Sequence, residues 1–177
     1  MIGCGACDPD LCVAIGLYWK VAVLELILRQ VTKRLHGATA TDAGIRLLRS
    51  TLDLSLVPDW LVIILRENGL AGVCFSLDAG DDLSGLGAEL LWLTPAQVVS
   101  EATECEPGLS VVPLGYIPVG ACATGSGDPY FLDMRTASQD PPLVRIPHDY
   151  AGTKPYPLDR VELVTNTLSG FFSKASF

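Results

Sequence analysis

The chain contains only two histidines, His36 and His148, and this scarcity excludes a histidine-rich metal site. An acid and a base made from a histidine pair would need both of them. His148 stands beside Asp149, and a histidine next to a carboxylate can act as a base, but the sequence places no nucleophile near it. We therefore predict that the chain is not an enzyme.

A second pair of closely spaced cysteines is also missing. Cys4, Cys7 and Cys12 crowd the stretch GCGACDPDLC, whereas a structural zinc site needs another cysteine or histidine pair at suitable spacing. A redox CxxC motif begins a helix after a strand, and this one lies ahead of a proline. We predict no metal and no cofactor. The apolar surroundings of Cys74 and Cys122 predict buried thiols that behave as small hydrophobic residues.

The chain has fewer basic than acidic residues. It contains twelve lysines and arginines and twenty aspartates and glutamates, which gives a formal net charge of −8 and a pI near 4.6. Such a surface repels a phosphate backbone, so we predict no direct binding to nucleic acid. An acidic surface suits a basic protein partner, although solubility alone explains the same charge equally well.

The most apolar run, LCVAIGLYWKVAVLELILRQV, lacks the uninterrupted character of a membrane span. Lys20, Glu25 and Arg29 lie inside it, and each is costly at the centre of a bilayer. A basic leader region is absent from the start of the chain, so we predict no membrane association and a cytoplasmic location. The apolar residues recur at steps of three or four, which predicts an amphipathic helix packed on a core: Leu17, Val21, Leu24, Leu28, Val31 and Leu35.

The whole chain has 177 residues, which suit one domain of ordinary size. Helices are predicted for its first part. The first runs from about residue 17 to 36 and ends at Gly37. Asp42 is a suitable N-cap for a second helix over residues 43–52. Pro58 begins a third, PDWLVIILREN. We expect Trp60 and Trp92 to lie in the core.

Short apolar runs and turns follow. GVCFSL and AELLWL predict a β-hairpin, and TPAQVVSEATECE predicts a capped helix. Further strands are predicted in LSVVPLGYIPVG, PYFLDMR and PLVRIPHD. Helical spacing of apolar residues predicts a closing helix in LDRVELVTNTLSGFFSK. Helices, then strands, then one helix is the order of an α+β fold.

The stretch CATGSGDPYFLD raises the question of a ligand-binding loop. A phosphate-binding loop needs a lysine after its glycines, and a serine nucleophile elbow needs G-x-S-x-G; neither pattern is present. The preferred interpretation is a hairpin turn in which Gly125 and Gly127 adopt positive φ and Asp128 bonds to its own turn backbone. The alternative is a partner-facing patch that includes Asp128, Tyr130 and Asp133.

The loop DAGDDLSG resembles a calcium loop only superficially. The EF-hand order needs an oxygen ligand where Gly80 stands and a glycine where Leu83 stands. We therefore expect a solvated hairpin tip that carries Asp78, Asp81 and Asp82.

The order of motifs from Asp42 onward resembles that of the SUKH superfamily, which groups bacterial immunity proteins with fungal cell-wall regulators. The matching pieces are IRLLRSTLDLSLVPDWLVIILRENGLAG, LLWLTPAQVVSE, YIPVGACATGSGDPYFLD, PLVRIPHDY and LSGFF. This resemblance implies an α+β fold with a central, mostly antiparallel sheet flanked by helices. It also implies a non-catalytic role, often the neutralisation of a nuclease or deaminase toxin from a neighbouring cell.

The resemblance divides the chain into an N-terminal extension with an amphipathic helix, residues 1–41, and a SUKH-like domain, residues 42–177. We predict an immunity-type protein that binds a cognate protein toxin, as a monomer or as a homodimer through the N-terminal helix. The alternative is a regulator or scaffold on the same fold that binds a small molecule or a peptide. The predicted partner-binding residues are Asp78, Asp81, Asp82, Asp128, Tyr130, Asp133 and His148.

Overall fold

A computed structural model describes residues 24, 26–31, 33–136 and 138–177. It confirms the α+β fold, with helices packed on a six-stranded antiparallel sheet in which each strand pairs with the next along the chain. The strands are β1 Cys74–Leu77, β2 Ala88–Trp92, β3 Tyr116–Cys122, β4 Tyr130–Asp133, β5 Leu143–Arg145 and β6 Glu162–Thr165. The helices are α1 Asp42–Thr51, α2 Asp59–Glu67, α3 Pro95–Thr103, α4 Gly108–Val111 and α5 Leu168–Lys174.

Local signals account for the predicted elements that the structure confirms. The β1–β2 hairpin forms where two apolar runs flank the acidic loop. Thr94 caps α3 in a capping box: its side chain accepts from the backbone of Gln97, whose side chain accepts from the backbone of Thr94. Thr41, rather than the predicted Asp42, caps α1. None of the described helices is long and apolar enough to cross a bilayer.

The predicted strand LSVVPLGYIPVG is wrong in its first half. Residues 108–111 form α4 and Val112–Leu114 form a 3₁₀ turn, so β3 begins only at Tyr116. Gly108 lies so close to the Glu101 carbonyl that a Cβ atom would come within 1.9 Å of its oxygen. Because this contact fixes the chain against α3, the tertiary packing overrides the strand propensity of the valines.

The predicted closing helix is wrong in its first half as well. Leu158–Arg160 form a 3₁₀ turn, residues 162–165 form β6, and only LSGFFSK is α-helical. Val164 and Thr165 are β-branched, and such residues favour a strand that has a partner to pair with. Thr167 then caps α5 by accepting a hydrogen bond from the Gly170 backbone at 3.0 Å.

The sheet carries apolar residues on both faces. The main core lies between one face and the helices and is centred on Phe75, Trp92, Phe171 and Phe172, whose neighbouring rings are about 5.3–6.2 Å apart. Trp92 is buried as predicted, whereas Trp60 is only half-buried. A smaller cluster covers part of the second face: Val111, Tyr116, Phe131, Val144, Ile146 and Tyr156.

The N-terminal extension packs on the same core as the rest of the chain. Residues 24 and 26–31 are helical, and Leu24 and Leu28 are 2% and 1% exposed within the main core. Leu17 and Val21, which continue the predicted stripe, lie outside the described residues. Ala38 also pairs with Ala71 in an isolated bridge. The described part of the apolar stripe is therefore used within the subunit.

We expect the purified chain to be monomeric, because Leu24 and Leu28 of the stripe that would mediate a homodimer are already buried in the core of the subunit. Size-exclusion chromatography with light scattering should give a mass near 18.8 kDa. A mass of twice that value, independent of salt concentration, would contradict this expectation.

Candidate functional site

The structure brings Asp128 and His148 together, although twenty residues separate them in the sequence. Asp128 Oδ1 accepts hydrogen bonds from the backbone N–H of His148 at 2.9 Å and from its Nδ1 at 2.7 Å. The prediction that the Asp128 side chain bonds to its own turn was therefore wrong, because its hydrogen-bond partner is His148. The glycine prediction is confirmed, since Gly125 and Gly127 have φ of 87° and 83°.

The pair should be detectable by titration. The hydrogen bond to Asp128 raises the pKa of His148 above its ordinary value of 6.5. Its stabilising effect is therefore fully present below pH 6.5 and is lost as the pH rises through the folded-state pKa. We expect the pKa of His148, followed by NMR of its ring protons, to fall when Asp128→Asn is introduced. An unchanged pKa in that variant would contradict the pairing; Asp159→Asn, an exposed carboxylate elsewhere, is the control.

Tyr130 is buried, so its predicted role on a partner-facing surface was wrong. Its ring lies under the Arg145 guanidinium at 5.9 Å, and its hydroxyl oxygen accepts from the backbone N–H of Glu89 at 3.3 Å. The β4 strand is buried along its whole length. The second apolar cluster, which covers the other face of this strand, was not visible in the sequence.

Asp133, a further member of the predicted patch, is mostly buried and is held by Arg135. The guanidinium donates two hydrogen bonds to the carboxylate, at 2.8 and 2.6 Å. Burial alone would raise the pKa of Asp133, but the hydrogen bonds from Arg135 outweigh it and the pKa lies below the ordinary value. Arg135 also stacks on Tyr116 at 4.8 Å. The pair fixes the end of β4, so the Asp133 carboxylate, predicted to face a partner, is bound within the chain.

The three aspartates of the hairpin tip have different environments. Asp78 is exposed, as expected for a solvated tip. Asp81 pairs with Lys174 of α5 at 2.9 Å. Asp82 is buried, which the sequence did not predict; it accepts from the backbone of Ser84 at 2.8 Å and lies 3.9 Å from Arg145. Asp82 therefore does not present its carboxylate to a partner.

Arg145 is the residue at the centre of this arrangement, and the sequence analysis missed it. It donates to Glu162 at 2.7 Å, to the Gly87 carbonyl at 2.8 Å and to Ser84 at 2.8 Å. Leu83 also donates its backbone N–H to Val164 of β6 at 3.0 Å. The sheet is thus curled so that its first hairpin meets its last strands. An arginine inside the apolar run PLVRIP was the signal that could have indicated a buried pair.

The turn that begins at Cys122 has an unusual thiol. Hydroxyl groups of Ser126 and Thr124 lie 3.1 and 3.3 Å from its sulfur. Partial burial would raise the pKa of Cys122, but these hydroxyls and the backbone N–H groups of Thr124 and Gly127 together lower it to about 6. A thiolate of this kind can react with electrophiles and oxidants.

The prediction that Cys74 and Cys122 are buried thiols was therefore wrong at both positions. Cys74 is exposed, and Cys122 is half-buried with a lowered pKa. Within the described ranges, no group of three or more histidine, cysteine, aspartate or glutamate residues could hold a metal ion. Cys4, Cys7 and Cys12 lie outside those ranges.

A cleft of about 370 Å³ lies between α2 and the segment after β4. Trp60 and Met134 form part of an apolar wall, and both also pack on the main core. Arg135, Ser138 and Gln139 line the cleft with hydrogen-bonding groups. A half-buried aromatic ring beside such groups can hold a small organic ligand.

The acidic residues are concentrated in one segment of the chain, which the net charge alone did not indicate. From Glu67 to Met134 the chain carries ten carboxylates and no lysine, arginine or histidine. Four of the ten pair with cations supplied by later parts of the chain, namely Lys174, Arg145, His148 and Arg135. The remaining six make no ion pair with any described residue: Glu67, Asp78, Glu89, Glu101, Glu104 and Glu106.

Comparisons with family models, with curated proteins and with solved structures give no match.

Proposed function

We propose that the chain is a non-catalytic protein-binding domain, related to the SUKH superfamily, that binds and neutralises a basic toxin domain in the cytoplasm. The observation that supports it most is the segment from Glu67 to Met134, which carries ten carboxylates and no cation, and in which six of the ten make no ion pair with a described residue. Carboxylates without internal partners attract a basic surface over several ångströms, accelerate its association and repel nucleic acids. A nuclease or deaminase that binds nucleic acid has a basic surface of this kind.

The burial of three predicted residues changes which carboxylates are proposed to make contact. Asp82, Tyr130 and Asp133 are committed to internal pairs, whereas Asp78 is exposed and Asp81 and Asp128 are partly exposed. The proposed binding residues are therefore the unpaired carboxylates of the acidic segment, with Asp78 among them. Asp81 and Asp128 contribute less, because Lys174 and His148 already compensate their charge.

Co-expression tests this proposal. The C-terminal domain encoded by the reading frame next to this gene is expressed alone and together with the chain, and surviving cells are counted. We expect the domain alone to kill, the chain to restore growth, and the two proteins to co-purify as a complex that weakens as salt is added. Toxicity that the chain does not relieve, or neighbouring reading frames that are all harmless, would contradict the proposal.

A second candidate function is a regulator that binds a small molecule, and the cleft beside Trp60 is the observation that favours it. A planar ligand stacked on Trp60 would reach the polar groups of Arg135 and Gln139. Binding of a metabolite panel, followed by the thermal shift of the wild type against Trp60→Leu, distinguishes this candidate. A ligand that stabilises only the wild type supports it, and no stabilisation by any ligand counts against it.

A further inference from the structure

The second face of the sheet is covered over β3 to β5 but exposed over β1, β2 and the end of β3. The smaller apolar cluster occupies the covered part. Along β2, the residues alternate between buried and exposed: Leu90 and Trp92 enter the main core, while Glu89 and Leu91 point to the opposite side. A bulge at residues 118–120 shifts the register of β3.

The register of the strands arranges the exposed residues in two rows. Cys74 pairs with Leu91, and Leu91 pairs with Ala121, so these three residues stand in one row across three strands, with Ala121 half-buried and also in contact with the main core. Ser76 pairs with Glu89 in the next row. Leu91 is 37% exposed, and Cys74 and Glu89 are exposed. The open face therefore has a small apolar row beside a carboxylate.

The strands of the open face carry charge of one sign. All its strands belong to the segment from Glu67 to Met134, which has no cation. Glu89 makes no ion pair with a described residue, and a carboxylate without a counter-charge favours a cationic partner. A second copy of this chain would bring Glu89 against the same acidic surface, which disfavours a symmetric dimer through this face.

We propose that the open face, formed by Cys74, Ser76, Glu89, Leu91 and Ala121, is the docking surface for a basic protein. A partner would place an apolar side chain on the row centred on Leu91 and a lysine or arginine against Glu89. Docking is onto the face rather than by addition of a strand at the edge, because Ser176 already pairs with Ser76 of β1 through two backbone hydrogen bonds of 2.9 Å. The identity of the partner as a toxin domain rests on the proposed function.

The chain offers a matched control residue. Leu163 of β6 lies on the same face of the sheet, since it pairs with Val144 of the smaller cluster, and it is 38% exposed. It lies outside the acidic segment, in the last strand of the sheet. Leu91→Arg and Leu163→Arg therefore make the same change in two strands at nearly equal exposure. Glu89→Lys and Asp159→Lys make a second pair, inside and outside the segment.

The first arm of the experiment does not need the toxin. Cytochrome c, a small basic protein, is titrated into the isotope-labelled chain at low salt, and amide shifts are followed by NMR. We expect the largest shifts in β1, β2 and the end of β3, their loss in Glu89→Lys and Leu91→Arg, and little change in the controls. Shifts centred elsewhere, or equal in all four variants, would overturn the proposal.

The second arm uses the toxin domain identified by co-expression. Leu91→Arg and Glu89→Lys should each weaken its binding by roughly tenfold or more, and the controls by less than about twofold. Melting temperatures of all four variants establish that each is folded. If the wild-type chain does not rescue growth, the partner is not this toxin domain. The docking surface is then tested by the cytochrome c titration alone. Rescue by the wild type with full binding by Leu91→Arg refutes the face and leaves the proposed function in place.

Discussion

Replacing Arg145 with leucine is expected to lower the free energy of unfolding by about 3–5 kcal/mol, the cost of leaving a buried charge without its partner. The Arg145 side chain is 7% exposed, and that of Asp82 is fully buried beside it. The substitution removes hydrogen bonds to Glu162, Ser84 and the Gly87 carbonyl together. It also removes these contacts between the first hairpin and the last strands, and no other described arginine makes hydrogen bonds between those two parts of the sheet.

Urea denaturation measures this effect, with Arg160→Leu as the control. Arg160 is exposed, lies 3.7 Å from Asp159 and stacks on Tyr150, so its loss should cost less than about 1 kcal/mol. Adding Asp82→Asn to Arg145→Leu should recover part of the loss, because the amide leaves no uncompensated charge. Equal stability of Arg145→Leu and Arg160→Leu would contradict the account of the buried pair.

Cys122 is expected to be alkylated much faster than Cys105 in mildly acidic solution. The pKa of Cys122 is about 6, whereas burial, together with Glu101 and Glu104, raises the pKa of Cys105 above its usual value. At pH 6 about half of Cys122 is thiolate, against roughly one part in a thousand of a thiol with the ordinary pKa of 9.0. Thiolates of lower pKa are weaker nucleophiles, so the expected net advantage is roughly twentyfold.

Peptide-resolved mass spectrometry after brief exposure to iodoacetamide at pH 6 measures the two rates in one sample. Ser126→Ala removes the side-chain hydrogen bond that contributes most to lowering the pKa of Cys122, and should reduce its rate several-fold without changing that of Cys105. Equal alkylation of the two cysteines would show that the turn does not stabilise a thiolate.

Elements with complete local signals could be predicted from the sequence. The β1–β2 hairpin, the capping box at Thr94 and the positive φ of Gly125 and Gly127 each depend on residues within a few positions of one another. The closing segment could not be predicted in the same way, because its apolar spacing suits a helix while its β-branched residues suit a strand. Pairing with β5, through Val144 and Leu163, decides between them.

The candidate site was less predictable, because its arrangement depends on contacts between distant residues. Asp128 meets His148 across twenty positions, and Arg145 meets Ser84 across sixty-one. No local pattern indicates that Tyr130 lies beneath Arg145, so a tyrosine in a strand after an acidic turn was wrongly placed on the surface. Net charge was visible from composition, but its concentration between Glu67 and Met134 required the positions of the cations as well.

The central claim is that the acidic segment binds a basic protein partner, and the salt dependence of association tests it most directly. The rate constant for association between the purified chain and the toxin domain is measured by stopped-flow mixing from low to high salt. The account predicts a rate constant that falls by roughly tenfold or more across that range, with a smaller fall for Glu89→Lys. A rate constant that does not change with salt, or that changes equally in the wild type and Glu89→Lys, would contradict it.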